Sequence, residues 1–384
     1  MSAPEVHHLF HAPIASHSFA ADRSTLAVTH DTVVDLYARS GTKFDLASQL
    51  RGHDKTITGV DIAPRSGKIV TCSQDRNAYV WEQAGDSEWK PTLVLLRINR
   101  AATCVKWSPS ETKFAVGSGA RIIAICYFEE ENDWWVSKHL RKPLRSTVTS
   151  VAWHPNSVLL AAGSTDGHAR VFSSFVKDVD QRPGPGVWGE RLPFNTLCGE
   201  YLNPTAGWIH DVSFSPSGEA LAFCAHDSSV TVVYPSGPDQ APKAVVNVAT
   251  QLLPFTSLLW TNEDSIVAAG YDCSVYKFSG AEEGWQLTGS LEKDTSATNG
   301  GRPGLEQREE SAMNMFRGMD LKGRASGGGA GGGPGGLGSG GEDTKLKTVH
   351  QNTINTVRVY EEGGGHVSKV STGGVDGRVV IWTL

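Results

Sequence analysis

The sequence predicts an all-β fold, a seven-bladed β-propeller, because one pattern of strands and turns recurs along the chain. The pattern is clearest in residues 52–81, where alternating or apolar runs at 57–62, 69–73 and 78–81 predict three short strands. Proline and glycine within 64–68 predict a turn between the first two. The stretch begins with Gly-His, and an Asp-containing turn precedes a strand that ends in an aromatic residue. These features are typical of a WD repeat of about 40–45 residues.

The Asp turn and the aromatic strand end recur, which predicts several such blades. Six copies keep both features, and their aromatic residues are Tyr37, Trp81, Phe172, Tyr234, Phe278 and Trp382. A seventh copy, ending at Tyr127, lacks the aspartate. Blades two, three and six are expected to begin at Phe44, Leu93 and Val246. Because one blade cannot bury its own faces, we expect a single propeller over residues 1–384, in which seven units of about 44 residues leave room for insertions.

The polar residues of the repeat at 52–81 have a structural interpretation and a catalytic one. His53, Ser73, Asp75 and Trp81 can form one hydrogen-bonded chain that ties the loop before the first strand to the next two strands. A buried aspartate needs such donors. The same His, Ser and Asp invite comparison with a catalytic triad. We favour the structural interpretation, because these groups would lie inside the packing of a blade.

The N-terminal residues are predicted to close the ring. Three histidines, at 7, 8 and 11, suggest a metal site, but an edge strand with Leu9 on one side and Phe10 on the other fits better. The last blade has only three strands of its own before Leu384. An outer strand supplied by the N-terminus would remove the open edges of the ring.

Composition excludes several functional classes. The net charge of −6 gives no bulk attraction to nucleic acid. There is no apolar run of 18 residues and no signal-peptide pattern, so we expect a soluble cytoplasmic protein that is not inserted in a membrane. The six cysteines form no Cys-x-x-Cys pair, which favours buried thiols over a disulfide or zinc site. No cofactor or metal is predicted.

Two basic stretches occupy matching positions before the inner strands of neighbouring blades. They contain Arg97, Arg100, Lys138, Arg141, Lys142 and Arg145. Several of these residues should lie near one face of the disc. Such runs are often solvated loops. The alternative is a docking surface for an acidic partner, and the sequence leaves both open.

Two long segments interrupt the repeats. Residues 176–207 are rich in Pro and Gly, which predicts an irregular connection pinned by Trp188 and Phe194. Residues 280–346 form a larger insertion between blades 6 and 7, beginning with an outer strand near 285–291. Its glycine-rich part, 323–341, is predicted to be a disordered tether.

The insertion also contains a predicted short helix at 305–322. Its helical spacing places four apolar residues on one face, namely Ala312, Met315, Phe316 and Met319. A helix between flexible linkers has no core to pack on, and Gly318 weakens it. It is therefore either idle or a recognition helix that folds into a groove on a partner.

Several stretches go beyond the general repeat pattern and point to a family. They include Lys113-Phe-Ala-Val-Gly-Ser-Gly119, Glu131-Asn-Asp-Trp-Trp135, Arg145-Ser-Thr-Val148 and Trp153-His-Pro-Asn156. In these and over nearly its whole length, the chain resembles the WD-repeat subunits of the actin-related protein 2/3 complex, a seven-protein assembly that nucleates branched actin filaments. It departs from them in its long glycine tract and in Met313 and Met315.

The resemblance implies a non-enzymatic scaffold at the cytoplasmic actin cytoskeleton, in cortical actin patches. It implies contacts with actin-related protein 2 and the other subunits of the complex. The family's protruding helix resembles residues 312–322, with Phe316 and Asp320 at matching positions, and implies a contact of this helix with the mother actin filament. The basic surface would receive the acidic tails of nucleation-promoting factors.

Two other functional classes compete with this interpretation. A WD-repeat scaffold of another multiprotein assembly would share the blade pattern but not the stretches at 131–135 and 145–148. A propeller enzyme would need carboxylates, histidines or a metal at the mouth of the central channel. The inner strands are predicted to offer mainly Ala, Val, Gly and Ser there.

Overall fold

The computed structural model describes residues 3–85, 88–237, 240–292 and 346–384. Within these ranges, 28 strands form seven antiparallel four-stranded sheets and no helix occurs. The prediction of a seven-bladed propeller is therefore confirmed. No helix in these ranges has the length and apolar character required to cross a bilayer. The helix predicted at 305–322 and the tether predicted at 323–341 lie outside the described residues.

Each blade contains four strands, ordered from the ring centre outwards. Blade 1 contains β2 (His17–Phe19), β3 (Thr25–His30), β4 (Val33–Ser40) and β5 (Lys43–Arg51). Blade 2 contains β6 (Ile57–Ile62), β7 (Ile69–Ser73), β8 (Ala78–Gln83) and β9 (Trp89–Val94). Blade 3 contains β10 (Ala102–Trp107), β11 (Lys113–Ser118), β12 (Ile123–Glu129) and β13 (Trp134–Leu140). Blade 4 contains β14 (Val148–Trp153), β15 (Leu159–Ser164), β16 (His168–Ser173) and β17 (Leu197–Leu202).

The remaining three blades repeat this order, and the first strand of the chain belongs to the last of them. Blade 5 contains β18 (Ile209–Phe214), β19 (Leu221–Ala225), β20 (Ser229–Tyr234) and β21 (Ala244–Ala249). Blade 6 contains β22 (Phe255–Asn262), β23 (Ser265–Gly270), β24 (Val275–Ala281) and β25 (Gly284–Ser290). Blade 7 contains β26 (Ile354–Gly363), β27 (His366–Gly374), β28 (Arg378–Thr383) and β1 (Glu5–His8).

Burial of the strands follows their place in the blade. Every residue is buried in the second strands of five blades, namely β7, β11, β15, β19 and β23. The reason is that each of these strands packs against one neighbouring blade on each of its two faces. Such strands are short apolar runs rather than alternating ones. Outer strands have one wet face, and β21 alternates regularly between half-buried and exposed residues.

The N-terminal strand completes the last blade. β1 pairs antiparallel with β28, with Val6 opposite Val380. The strand lies earlier than the sequence predicted, since it ends at His8 and Leu9 and Phe10 follow it. The ring of Phe10 stacks on His30 of blade 1 at a centroid distance of 4.4 Å. Residues 9–16 therefore form the connection to blade 1.

The inner strands form a closed ring. Each inner strand contacts that of the next blade, and β2 contacts both β6 and β26. Hydroxyl groups on several inner strands donate to main-chain carbonyl oxygens of the following blade. These bonds join Thr58 to Ala102 (3.0 Å), Thr103 to Val148 (2.6 Å), Thr149 to Ile209 (2.6 Å) and Thr256 to Ile354. They fix the register between blades as well as the packing.

The repeat and the blade are out of phase by one strand. Phe44, Leu93 and Val246, which were predicted to begin blades, lie on β5, β9 and β21, the outer strands of the preceding blades. The predicted beginnings of these three blades were therefore wrong by one strand. Each sequence repeat thus contributes its first strand to one blade and its other strands to the next, which interlocks the ring.

The connection predicted at 176–207 contains a strand that the sequence analysis missed. Its last part forms β17, the outer strand of blade 4, which pairs irregularly with β16 between Val171 and Phe172. The bulge and the glycine at 199 obscure the alternating pattern. Trp188 is 3 % exposed and its Nε1 donates to the carbonyl oxygen of Gly218 at 2.7 Å. The buried ammonium of Lys113 donates to the carboxylate of Asp180 and holds the beginning of the connection.

Candidate partner-binding surface

One face of the ring carries the Asp turns. In a four-stranded antiparallel blade, the loop that enters the inner strand and the turn between the second and third strands lie at the same end. We call this end the Asp-turn face. Both predicted basic loops, 95–101 and 141–147, lie on it. The Asp-turn face therefore carries most of the basic residues that the sequence selected.

A hydrogen-bonded network lies beneath this face in blade 2. Nδ1 of His53 lies 2.7 Å from the carboxylate of Asp75, and Nε2 lies 2.8 Å from the hydroxyl of Thr71. Nε1 of Trp81 donates to the same hydroxyl at 3.0 Å. Burial lowers the pKa of His53, while Asp75 opposes that shift. The ring is therefore neutral, donates to the carboxylate and accepts from the hydroxyl.

The structure brings His53, Asp75 and Trp81 together, but through Thr71 rather than through Ser73. The hydroxyl of Ser73 donates to the carbonyl oxygen of Lys55 at 2.7 Å and accepts from the amide of Asp75 at 3.1 Å. Its partners are main-chain groups of the loop and turn. Nucleophilic catalysis would require a hydrogen bond between the serine and the histidine, and Ser73 and His53 do not form one.

Blade 7 carries a second network of the same design, which the sequence analysis missed. His350 connects the carboxylate of Asp376 (3.1 Å) to the hydroxyl of Thr372 (2.7 Å), which also accepts from Nε1 of Trp382 (2.8 Å). The histidine before the inner strand could have indicated this network. It was not selected because Val349 precedes His350, whereas glycine precedes His53 in blade 2. The two networks fix the Asp turns and the entering loops of these blades as rigid platforms.

The two predicted basic loops are connected through a histidine. Arg97 and Arg100 lie on residues 95–101, and Arg141, Lys142 and Arg145 on residues 141–147, all of them exposed. His139 donates from Nε2 to the carbonyl oxygen of Leu96 at 2.8 Å and accepts at Nδ1 from Arg141 at 2.9 Å. The loops of blades 3 and 4 therefore form one continuous basic region.

Lys138 lies apart from this region. It belongs to the outer strand β13, and its Nζ lies 5.4 Å from the ring centroid of Tyr127 and 5.9 Å from that of Phe194. Through these cation–π contacts, the ammonium group lies against two aromatic side chains at the outer rim of the propeller. Of the six predicted basic residues, five share the Asp-turn face.

The topology adds three cations that the sequence analysis did not select. Lys55 and Arg76 lie on the connections of blade 2, and Arg121 on the turn of blade 3 that lacks aspartate. Lys55, Arg76 and Arg100 line a shallow cleft of about 440 Å³ between these blades. We call the following eight residues the basic sector: Lys55, Arg76, Arg97, Arg100, Arg121, Arg141, Lys142 and Arg145.

The basic sector differs from the buried cations of the protein in its lack of carboxylate partners. Within the described ranges, none of its eight residues forms an ion pair. By contrast, Arg170 is bound by Asp166 and Glu200. Unpaired cations fixed on rigid turns attract a negatively charged ligand with little rearrangement.

The central channel is more polar than the sequence predicted. Lys106 lies 3.3 Å from Asp61, and burial, with the nearby charge of Arg358, lowers the pKa of Lys106 to about 8. Asp211 accepts from the hydroxyl of Ser257 at 2.9 Å and from the amide of Leu258 at 3.0 Å. The expectation of mainly Ala, Val, Gly and Ser left out these charged side chains, because alternation along a strand does not show which face lines the channel. These carboxylates bind groups of neighbouring blades and thereby join them.

The predicted filament-contact residues cannot be placed on this surface. Ala312, Met315, Phe316, Met319 and Asp320 all lie outside the described residues. The ends of that segment are described: Val349 donates its amide to the carboxylate of Glu292 at 3.0 Å, on the Asp-turn face between blades 6 and 7. Glu292 and Val349 therefore lie on the same face as the basic sector.

Comparison with known proteins gives a match to one family model and relatives that match over nearly the full length. The family model for the WD domain, G-beta repeat, matches residues 44–82 and 137–173. Actin-related protein 2/3 complex subunit 1 of Schizosaccharomyces pombe is 50 % identical over 394 residues, covering 100 % of both chains. Subunit 1 of Saccharomyces cerevisiae is 43 % identical, covering 100 % of this chain and 98 % of its own. Subunit 1A-A of Xenopus laevis is 44 % identical, covering 98 % and 95 %.

Proposed function

The chain belongs to the family of actin-related protein 2/3 complex subunit 1, and from this membership we propose that it is a non-catalytic scaffold subunit of that complex. In this role it supports the nucleation of branched actin filaments. The observation that carries the proposal is the identity of 43–50 % over full length to subunit 1 of two yeasts. A WD-repeat scaffold of another assembly would not match these subunits from end to end.

The fold supports a scaffold rather than an enzyme. The His–Asp networks of blades 2 and 7 connect to Thr and Trp within the blades, and the channel carboxylates bind neighbouring strands. These titratable groups thus have structural partners. The rigid ring offers surfaces to several partners at once, among which we propose actin-related protein 2 and the other subunits of the complex.

We further propose that the basic sector receives the acidic tails of nucleation-promoting factors. The support is its set of unpaired cations, the shallow cleft lined by Lys55, Arg76 and Arg100, and the bond through His139 that makes two loops one surface. An acidic segment lying across blades 2 to 4 would meet several of these cations.

The insertion between blades 6 and 7 is proposed to contact the mother actin filament. The support is its sequence, in which Met315, Phe316 and Met319 form the apolar edge of a possible helix. The protein would act in the cytoplasm, at cortical actin patches. Replacing Phe316 and Met319 with Ser should leave assembly of the complex intact but reduce cosedimentation with filaments and the density of branches.

Affinity purification from native lysate tests the scaffold proposal. The tagged chain should recover six further subunits in equal amounts, including two actin-like ones. A variant with Asp75→Ala and Asp376→Ala, which removes both buried networks, serves as the control for a defective propeller and should recover less. Recovery of a different set of proteins by the intact chain would contradict the proposal.

A further inference from the structure

Four aromatic rings form a cluster on the Asp-turn face of blades 5 and 6, in which His210 is half-buried and the other three are exposed. Trp208 and Tyr271 are 55 % and 41 % exposed. The ring of Trp208 lies 5.7 Å from that of His226, and His210 lies 5.1 Å from His226 and 6.3 Å from Tyr271. We call Trp208, His210, His226 and Tyr271 the aromatic patch. Contiguous exposed apolar surface often marks an interaction site.

Main-chain bonds fix the backbone of the turns that carry these rings. The amide of His226 donates to the carbonyl oxygen of Trp208 at 2.9 Å, and the amide of Tyr271 donates to that of Pro254 at 3.1 Å. Nε2 of His210 lies 2.9 Å from Nδ1 of His226. The patch is thus a prearranged surface, and little conformational entropy is lost when a ligand covers it.

The mutual bond of the two histidines argues against a metal site. Each nitrogen in that bond faces the other ring rather than a common ion. In the part of the chain that the structure describes, no group of three or more His, Cys, Asp or Glu residues is arranged to hold a metal. Burial, and then the charge of His226, lowers the pKa of His210, which favours a neutral ring whose face attracts a cation.

Charge divides the Asp-turn face into two parts. The four connections that carry or adjoin the patch are residues 203–208, 226–228, 250–254 and 271–274. They contain Asp227 and Asp272 but no lysine or arginine. The basic sector lies on the connections of blades 2, 3 and 4 of the same face. A negatively charged ligand that suits the basic sector would therefore find no cation at the patch.

We propose that the aromatic patch is a second docking site, which binds an arginine- or lysine-bearing segment of a partner protein. The electron-rich ring faces, led by that of Trp208, would attract the cation. The carboxylates of Asp227 and Asp272 on the same turns add a favourable potential, and no basic side chain of those connections opposes it. Leu253, which is 52 % exposed beside Pro254, would cover the aliphatic part of the side chain. This site is separate from the basic sector and does not depend on the role proposed for it.

A peptide titration on the full chain tests the proposal. The probe is a fluorescein-labelled peptide of alternating Gly and Arg, and its counterpart carries neutral citrulline in place of Arg. Fluorescence anisotropy should show that the Arg peptide binds at least about fivefold more tightly than the citrulline peptide. Trp208→Ala and Tyr271→Ala should each weaken binding of the Arg peptide by about five- to tenfold.

Two matched variants distinguish a specific cation–π contact from non-specific binding to exposed apolar surface. Trp134→Ala removes another tryptophan that is 55 % exposed, on the outer strand β13, and should leave binding unchanged. Trp208→Leu keeps apolar surface but loses the ring, and it should bind as weakly as Trp208→Ala. Thermal melting of each variant verifies that the propeller is intact.

Three results would overturn the proposal. The first is equal binding of the Arg and citrulline peptides, which would make the patch an ordinary apolar surface. The second is full binding by folded Trp208→Ala and Tyr271→Ala. The third is tighter binding of a Gly-Glu peptide than of the Gly-Arg peptide in a manner that depends on Trp208.

Discussion

Nε2 of His17, on the first inner strand, lies 2.9 Å from the hydroxyl oxygen of Ser371, 354 residues further along the chain. Nδ1 of the same ring lies 2.7 Å from the hydroxyl of Thr356. The side chain is fully buried. One imidazole therefore bonds to two strands of blade 7 and joins the beginning of the propeller to its end. Together with the pairing of β1 and β28, this contact closes the ring from inside.

Protonation of His17 should weaken this closure. Burial, followed by the charges of Arg358 and Lys106, lowers the pKa of His17 well below 6.5. In the unfolded chain the histidine takes up a proton near pH 6.5, while the folded protein keeps it neutral. The unfolded state then binds more protons, so stability is fully present above pH 6.5 and decreases as the pH falls below it.

The variant His17→Gln measures this contribution. It should be less stable than the parent at pH 8, where it loses the buried hydrogen bonds. The difference in unfolding free energy should shrink by about 1.4 kcal/mol for each pH unit below pH 6. Urea denaturation from pH 8 to pH 5 provides the data, and exposed His11→Gln is the control that keeps the parental slope. Parallel curves for the parent and His17→Gln would show that this residue does not carry the acid sensitivity.

Adding a single methyl group at Gly377 should weaken the contact between the N-terminal segment and blade 7. Gly377 has φ = +72°, and a Cβ at that position would lie 1.8 Å from the carbonyl oxygen of Phe10. Its own carbonyl oxygen accepts from the amide of Leu9 at 3.1 Å. Gly377→Ala should therefore push the N-terminal segment away from blade 7 and cost about 3 kcal/mol of unfolding free energy.

Gly67→Ala isolates the backbone part of that cost. Gly67 has φ = +68°, but a Cβ at this residue would meet open space, with no atom of another part of the chain within 4 Å. This control should lose only about 1–2 kcal/mol, the cost of a left-handed conformation for alanine. Hydrogen exchange at the amides of β28 should accelerate in Gly377→Ala and not in the control. Equal losses in the two variants would mean that contact with residues 9–10 does not stabilise the ring.

The buried networks of blades 2 and 7 should each tolerate little change. Asp75→Ala removes the acceptor for Nδ1 of His53 and for the amides of Asp54 and Asn77. We expect it to cost about 2–4 kcal/mol. Thr71→Val preserves the shape but leaves Nε1 of Trp81 without its partner, and should cost about 2 kcal/mol. Chemical denaturation measures both losses.

Two exposed substitutions serve as controls for these network variants. Asp45→Ala and Thr42→Val change the same residue types at exposed positions of the hairpin between β4 and β5, and should shift stability by less than about 0.5 kcal/mol. Thr372→Val should reproduce the effect of Thr71→Val, because Thr372 occupies the equivalent place between His350 and Trp382. An unchanged denaturation midpoint for Thr71→Val would contradict the idea that its hydroxyl is the centre of the network.

The blades could be predicted from the sequence because their signals are local. Asp75 and Trp81 are six positions apart, and the turn and strand between them recur with the same residue types. Thr71 could not be selected in this way, because its role arises from a histidine on the preceding loop and a tryptophan on the following strand. β17 was missed for a related reason: its pairing with β16 is interrupted by a bulge, which removes the alternation.

The candidate surface depends even more on topology. Arg97 and Arg141 are 44 positions apart, and only the bond between His139 and Leu96 shows that their loops adjoin. Arg76 and Arg121 are isolated cations in the sequence and become part of one sector because the turns of successive blades lie at the same end. Lys138, which the sequence groups with the loops, lies on an outer strand against Tyr127 and Phe194.

Binding of acidic peptides should depend on where cations are removed, not on how many. The variant with Arg76, Arg100, Arg141 and Arg145 all changed to Ser lowers the net charge from −6 to −10. The control with Lys43, Lys90, Lys177 and Lys243 changed to Ser reaches the same −10 without touching the Asp-turn face. If the basic sector receives acidic tails, the first variant should bind a Glu- and Asp-rich peptide about tenfold more weakly at 0.1 M salt. The control should retain most of the affinity.

The dependence on salt completes this test. Binding by the parent should weaken as the salt concentration rises from about 0.05 to 0.5 M, because the exposed charges are screened beyond a few ångströms. The basic-sector variant should show a shallower dependence, since fewer cations contribute. Isothermal titration calorimetry at several salt concentrations measures both quantities. Equal losses of affinity in the two variants would identify overall charge as the cause, and the loops of the basic sector would then be ordinary solvated turns.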